Sequence, residues 1–174
     1  MPLIGAGRNV SPRMQAKIDA WLTANGWTQG GGGGAMSEDF DSSLTLPAGF
    51  TTSGDANWFV QGSTFYSSPN SAESGNIGNN QSTSLFLVRD GITAGMTLSF
   101  RYKTDTENLF DKLFLFINGS SIDNWSGNSG GFQSYTTTPT VRSVGLNTIE
   151  WRYVKDNSSS SGADAVWIDD IVIS

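Results

Sequence analysis

The sequence predicts an all-β fold, a two-sheet antiparallel jelly-roll β-sandwich, preceded by a short N-terminal α-helical arm. Three observations carry this. Two segments, Met96 to Lys103 and Thr148 to Tyr153, alternate apolar and polar residues with a period of two, the mark of a strand with one buried and one wetted face. Clusters of Gly, Asn, Ser and Asp, helped by 21 glycines in the chain, punctuate the sequence at short intervals. No helical period follows residue 36, and many short strands with regular turns fit a sandwich or barrel.

The arm comes first. Ser11 is an N-cap candidate, Pro12 suits the first helical position, and Asn25-Gly26 supplies a left-handed stop. Between them Met14, Ile18, Trp21 and Leu22 share one stripe. A helix this short is marginal alone in water, so the stripe must pack, either on its own β domain or on another subunit or assembly. Gly30 to Gly34 is an unbroken glycine run, which holds no regular structure by itself. The chain therefore divides into an arm (1–29), a glycine-rich linker (30–36) and a β domain (37–174).

Within the domain, Leu98, Phe100 and Tyr102 face one way and Thr97, Ser99, Arg101 and Lys103 the other. Ile149, Trp151 and Tyr153 likewise oppose Thr148, Glu150 and Arg152. Lys112 to Ile117 is apolar on both faces and is expected to be central and covered twice. Shorter candidates are Asn57–Val60, Ser82–Val88, Phe132–Thr138 and Ala165–Ile173. Asp169-Asp170 interrupts the last of these. Adjacent strand residues point to opposite faces, so one carboxylate is expected to approach the interior, where an unpaired charge is costly. A cation or an arginine would compensate it, unless the pair lies at a solvated strand edge.

Composition excludes several functions. The formal charge is −6, with a sequence pI near 4.4 and no Lys/Arg cluster, so nucleic-acid binding has no electrostatic basis. Without histidine, the usual general base near neutral pH is missing. Gly127-Asn128-Ser129-Gly130-Gly131 matches G-x-S-x-G, but a triad cannot be completed and the segment reads as a loop. The expectation is no catalytic residue and no enzyme. The N-terminus lacks the apolar run of a signal peptide, and no stretch approaches a membrane span.

In order, the segments Glu38-Asp39-Phe40-Asp41, Leu46-Pro47-Ala48-Gly49-Phe50, Gly54-Asp55-Ala56-Asn57-Trp58, Leu98 to Lys103, Leu113 to Gly119, and Ala165-Val166-Trp167-Ile168-Asp169-Asp170-Ile171 resemble MAM-like jelly-roll domains, including those of bacterial surface and secreted proteins. The resemblance covers about residues 37–174 and leaves the arm unexplained. It implies adhesion, carbohydrate contact or assembly. It also implies a structural Ca²⁺ where the first and last strands meet, with Asp41 and Asp169 as ligands and Glu38 and Asp170 behind them; oxygen donors suit that ion.

Of the tryptophans, Trp151 and Trp167 read as core. Trp125 and Trp58 lie near loops and are candidates to stack on a sugar. A helical anchor, a tether, an adhesion-type domain and no export signal together fit a virus or phage particle component. Such a protein is made in the host cytoplasm and shown on the virion surface. Its arm would join a capsid, a tail or its own oligomer, and its sandwich would meet a host-surface glycan. The alternative is a carbohydrate-binding module of an extracellular bacterial protein.

Overall fold

The computed structural model describes residues 34–140 and 145–174. Eleven strands form there: β1 (Met36–Glu38), β2 (Phe50–Gly54), β3 (Phe59–Gln61), β4 (Ser71–Glu73), β5 (Ser82–Arg89), β6 (Leu98–Asp105), β7 (Lys112–Ile117), β8 (Ser120–Ser126), β9 (Gln133–Thr137), β10 (Asn147–Val154) and β11 (Ala165–Ile173). They make two antiparallel sheets. One runs β3-β4-β11-β6-β9, with β1 also on β11; the other runs β2-β5-β10-β7-β8. β4 pairs with the first half of β11 and β1 with the second. The architecture is the jelly-roll sandwich that the alternation predicts.

Inward residues of the two sheets form one core. Leu85, Leu115, Ile149, Trp151 and Tyr153 come from the β10 sheet, and Leu98, Phe100, Val166, Ile168 and Ile171 from the β11 sheet. Phe100 meets the edge of Trp151 with ring centroids 5.4 Å apart, a favoured aromatic geometry. The face assignments made for residues 96–103 and 148–153 hold.

Two expectations are corrected. Lys112–Ile117 lies between β10 and β8, but among the described residues no second layer covers it, and Phe114 and Phe116 are half-buried on the outer face. They shield each other at 5.9 Å, and the Arg152 guanidinium lies 4.4 Å over the Phe116 ring. Apolar residues on both faces thus reflect a ring–cation patch. The domain also starts inside the stretch read as linker. β1 begins at Met36, Ala35 O accepts from Arg89 Nη2 at 2.9 Å, and Gly34 is buried where a Cβ would run into the Gly91 carbonyl.

The interruption at Asp169-Asp170 is a β-bulge. The register of β11 on β6 shifts between Asp169 and Val172, and Asp170 has φ 45°. The extra residue lets Ile168 and Ile171 both point into the core, so neither aspartate has to.

Candidate ligand-binding groove

The outer face of the β11 sheet carries two ligand-sized hollows. β6 puts Leu98, Phe100 and Tyr102 inward, which leaves Ser99, Arg101 and Lys103 half-buried on the outside. Across the register, Arg101 stands opposite Ser134 of β9 and Asp169 of β11, and Lys103 stands opposite Trp167. The β3–β4 connection, residues 62–70, folds over this face. It brings Tyr66, 49% exposed, and Phe65, 39% exposed, into line with Phe132 from the β8–β9 loop; the Tyr66 and Phe132 rings lie edge to face at 6.1 Å.

These rings, with Lys103, Ser63 and Thr64, line a hollow of about 520 Å³. A second hollow of about 270 Å³ is lined by Ser99, Arg101, Ser134, Thr136 and Asp170. Its Arg101 guanidinium lies 4.2 Å over the ring of Tyr66, which lines the first. Lys103 Nζ lies 4.7 Å over the ring of Trp167, whose Nε1 donates to Glu73 Oε2 at 2.7 Å.

The covering loop is fixed by its own polar residues. Gln61 Oε1 accepts from Ser63 N and Thr64 N at 2.7 and 3.0 Å, and its Nε2 donates to Thr64 O at 2.6 Å. Ser71 Oγ donates to the same carbonyl at 2.6 Å, and Asn70 N to Asp41 Oδ1 at 2.9 Å. Tyr66 N and Ser67 N donate to Asp169 Oδ2 at 2.8 and 3.1 Å. A loop ordered before binding costs less to engage, so Tyr66 stands as a prepared platform.

Asp169 is fully buried, beneath this loop. Besides the two loop amides it accepts from Asp170 N at 2.8 Å. Burial pushes its carboxyl up to about 6, and the three amides oppose the shift. Three backbone amides therefore meet this carboxylate, and among the described residues no arginine lies within 4.0 Å of it. The other proposed ligands are engaged in the same way. Glu38 Oε1 caps Phe40 N at 2.7 Å, Asp41 holds Asn70 N, and Asp170 Oδ1 accepts from Ser67 Oγ at 2.7 Å. Among the described residues, the acidic trio whose oxygens converge within 4.8 Å is a different one, Glu107, Asp111 and Asp156. Glu38, Asp41, Asp169 and Asp170 as placed do not fit a Ca²⁺ cage, because no three of their carboxylate oxygens converge as that trio's do.

The two tryptophans expected to stack on a sugar are used elsewhere. Trp58 is 2% exposed and belongs to the core. Trp125 is half-buried on β8, with its ring 4.4 Å from Tyr102 and 4.9 Å from Tyr135, so its faces are taken by protein. Gly127 to Gly131 is a loop in which Ser129 Oγ donates to Gly131 O at 2.7 Å and accepts from Thr104 N at 3.2 Å. Met14, Ile18, Trp21 and Leu22 lie outside the described residues.

Sequence reading missed Tyr66, Phe65, Phe132, Arg101 and Lys103 as a group. One signal was present. Phe65-Tyr66 sits in the polar run Gly62-Ser63-Thr64 to Ser67-Ser68-Pro69-Asn70, where adjacent aromatics cannot both serve a strand's single buried face.

No family model and no curated protein matches the chain. Solved structures do. The K1 cleaved adhesin domain of Lys-gingipain from Porphyromonas gingivalis superposes with a TM-score of 0.61 at 14% identity, covering 82% of this chain and 98% of that one. The family 22 carbohydrate-binding module of Clostridium thermocellum Xyn10B gives 0.56 at 12% identity, covering 82% and 94%. The CBM22-1 xylan-binding domain of Paenibacillus barcinonensis Xyn10C gives 0.53 at 12% identity, covering 82% and 96%. At these identities the likeness shows a shared β-sandwich fold.

Proposed function

We propose that residues 34–174 form a non-catalytic, glycan-binding adhesion module of the MAM-like jelly-roll type that works outside the cell. One observation carries the reading. A half-exposed aromatic platform of Tyr66, Phe65 and Phe132, set beside hydroxyls and cations, stands on a hydrogen-bonded loop over the outer face of the β11 sheet. Aromatic faces stack on the apolar faces of sugar rings, and nearby polar groups set orientation. The similarity to structures described as adhesin and xylan-binding domains supports it.

The test is affinity electrophoresis of the full chain through gels carrying plant, bacterial and mucin-type polysaccharides. Tyr66→Ala and Phe132→Ala should each weaken retention by about ten-fold, the loss of roughly 1.4 kcal/mol of stacking. Phe114→Ala, on the opposite outer face, should leave it unchanged. Undiminished retention of Tyr66→Ala would reject the groove. The particle-component reading rests on the arm, residues 1–29, and remains a proposal about that segment.

A further inference from the structure

We infer that the groove takes an acidic polysaccharide, with a sugar-ring carboxylate such as that of a uronic acid docked on Arg101 and Lys103. This rests on the glycan-binding reading and narrows it to a substrate class.

The protein is acidic, with a formal charge of −6, so cations are scarce on it. Arg152 is paired with Glu150, and Lys155 with Asp111 and Asp164, whereas Arg89 bonds a backbone carbonyl. Arg101 and Lys103 stand side by side without a contact ion pair. They project from the same face of β6, two residues apart, roughly 7 Å along the strand. Neither has a carboxylate within 4.0 Å among the described residues. Both lie over aromatic rings instead, an interaction that holds a cation in place without neutralising it.

Four carboxylates share this face, and each accepts hydrogen bonds: Asp105, two residues beyond Lys103 on β6, accepts from Asn128 Nδ2 and Ala163 N at 3.0 Å each. Asp169, opposite Arg101, accepts from Tyr66 N, Ser67 N and Asp170 N. Asp170 accepts from Ser67 Oγ, and Glu73 from the Trp167 indole. Hydrogen bonding leaves these carboxylates charged, so they offset the two cations through space without touching them, and a ligand carboxylate would supply the contact ion pair that each cation lacks. Arginine presents a planar fork that matches a carboxylate with two parallel hydrogen bonds, and stacking on Tyr66 fixes that plane in advance. The same Tyr66 ring and Phe132 would take the face of the sugar, so the charge and the ring of one residue are recognised together.

Calorimetric titration of the full chain separates the outcomes. The probes are an oligogalacturonide, a neutral xylo-oligosaccharide and a sulfated heparin-type oligosaccharide, each at low salt and at 0.5 M NaCl. The oligogalacturonide should bind at least about ten-fold more tightly than the neutral sugar. Its affinity should fall with salt, because partly exposed charges are screened over about 10 Å at 0.1 M ionic strength. Arg101→Gln and Lys103→Gln should each lose several-fold more affinity for the acidic sugar than for the neutral one. Equal, salt-independent affinity for neutral and acidic sugars, or full affinity in both Gln variants, overturns the inference while glycan binding stands. Preference for the sulfated probe overturns the carboxylate assignment. Binding of no probe by the wild-type chain overturns glycan binding with it.

Discussion

Lys155 shows what a buried charge requires in this core. Its side chain is fully buried; Nζ lies 3.4 Å from the equally buried Asp111, donates to Asp164, and donates to Ser160 Oγ at 2.7 Å. Burial alone would raise the Asp164 carboxyl, but the Lys155 ammonium, the Tyr153 hydroxyl at 2.8 Å and Ser160 hold it below the usual range. Glu107, close by, is pushed up by burial and then by Asp156 and Asp111. Lys155→Met would leave Asp111 and Asp164 without their counter-ion, which should cost about 3–5 kcal/mol in denaturant melts; a loss below about 1 kcal/mol would contradict the pairing. Asp169 makes a second expectation at this scale. Its folded-state value of about 6 lies above the ordinary 3.8, so the folded form holds the proton more tightly. Its contribution to stability is then fully present below about pH 4 and is lost as pH rises through about 6. Subtracting the Asp169→Asn melting profile from that of wild type should show a decline across that window. A flat or rising difference would contradict the burial of this carboxyl.

At the scale of elements, legibility in the sequence followed strand length and burial. β6 and β10 were readable because Leu98/Phe100/Tyr102 and Ile149/Trp151/Tyr153 each hold a clean period of two over eight-residue strands. β1 and β4 have three residues apiece, too few to show a period. The groove was not readable because its parts come from residues 63–66, 101–103 and 132, and only sheet pairing brings them together. Trp58 misled because Asp55-Ala56-Asn57 reads as a turn, whereas the chain there dives into the core. β8 supplies a contrast with the groove: Trp125 packs among Phe100, Tyr102 and Tyr135. Trp125→Ala should therefore cost about 3 kcal/mol of stability and spare glycan binding, while Tyr66→Ala should do the reverse. The β1–β11 junction bears on calcium. Superimposable melts in chelator and in millimolar Ca²⁺ are the outcome that the amide-bonded Asp169 favours. A calcium-dependent rise that Asp169→Asn abolishes would restore the cation, since a ligand of the folded state alone raises the midpoint.

On the scale of the whole molecule, the sandwich closes its core with residues from Gly34 onward, so residues 34–174 should fold without the arm. Far-UV dichroism and a cooperative melt would check this, and loss of either would make the arm part of the core. The particle-component proposal assigns Met14, Ile18, Trp21 and Leu22 to attachment. Ile18→Asp with Trp21→Ala should abolish oligomerisation or particle attachment without moving the melting midpoint, whereas early melting with assembly intact would return the helix to its own domain. The central claim concerns the outer face of the β11 sheet, and ligand-induced amide shifts in isotope-labelled full-length protein test it most directly. On addition of oligogalacturonide or xylo-oligosaccharide, the expected shifts cluster at residues 63–67, 101–103 and 131–134. Shifts confined to the opposite outer face around Phe114, Phe116 and Arg152, or absent with every sugar, would contradict it.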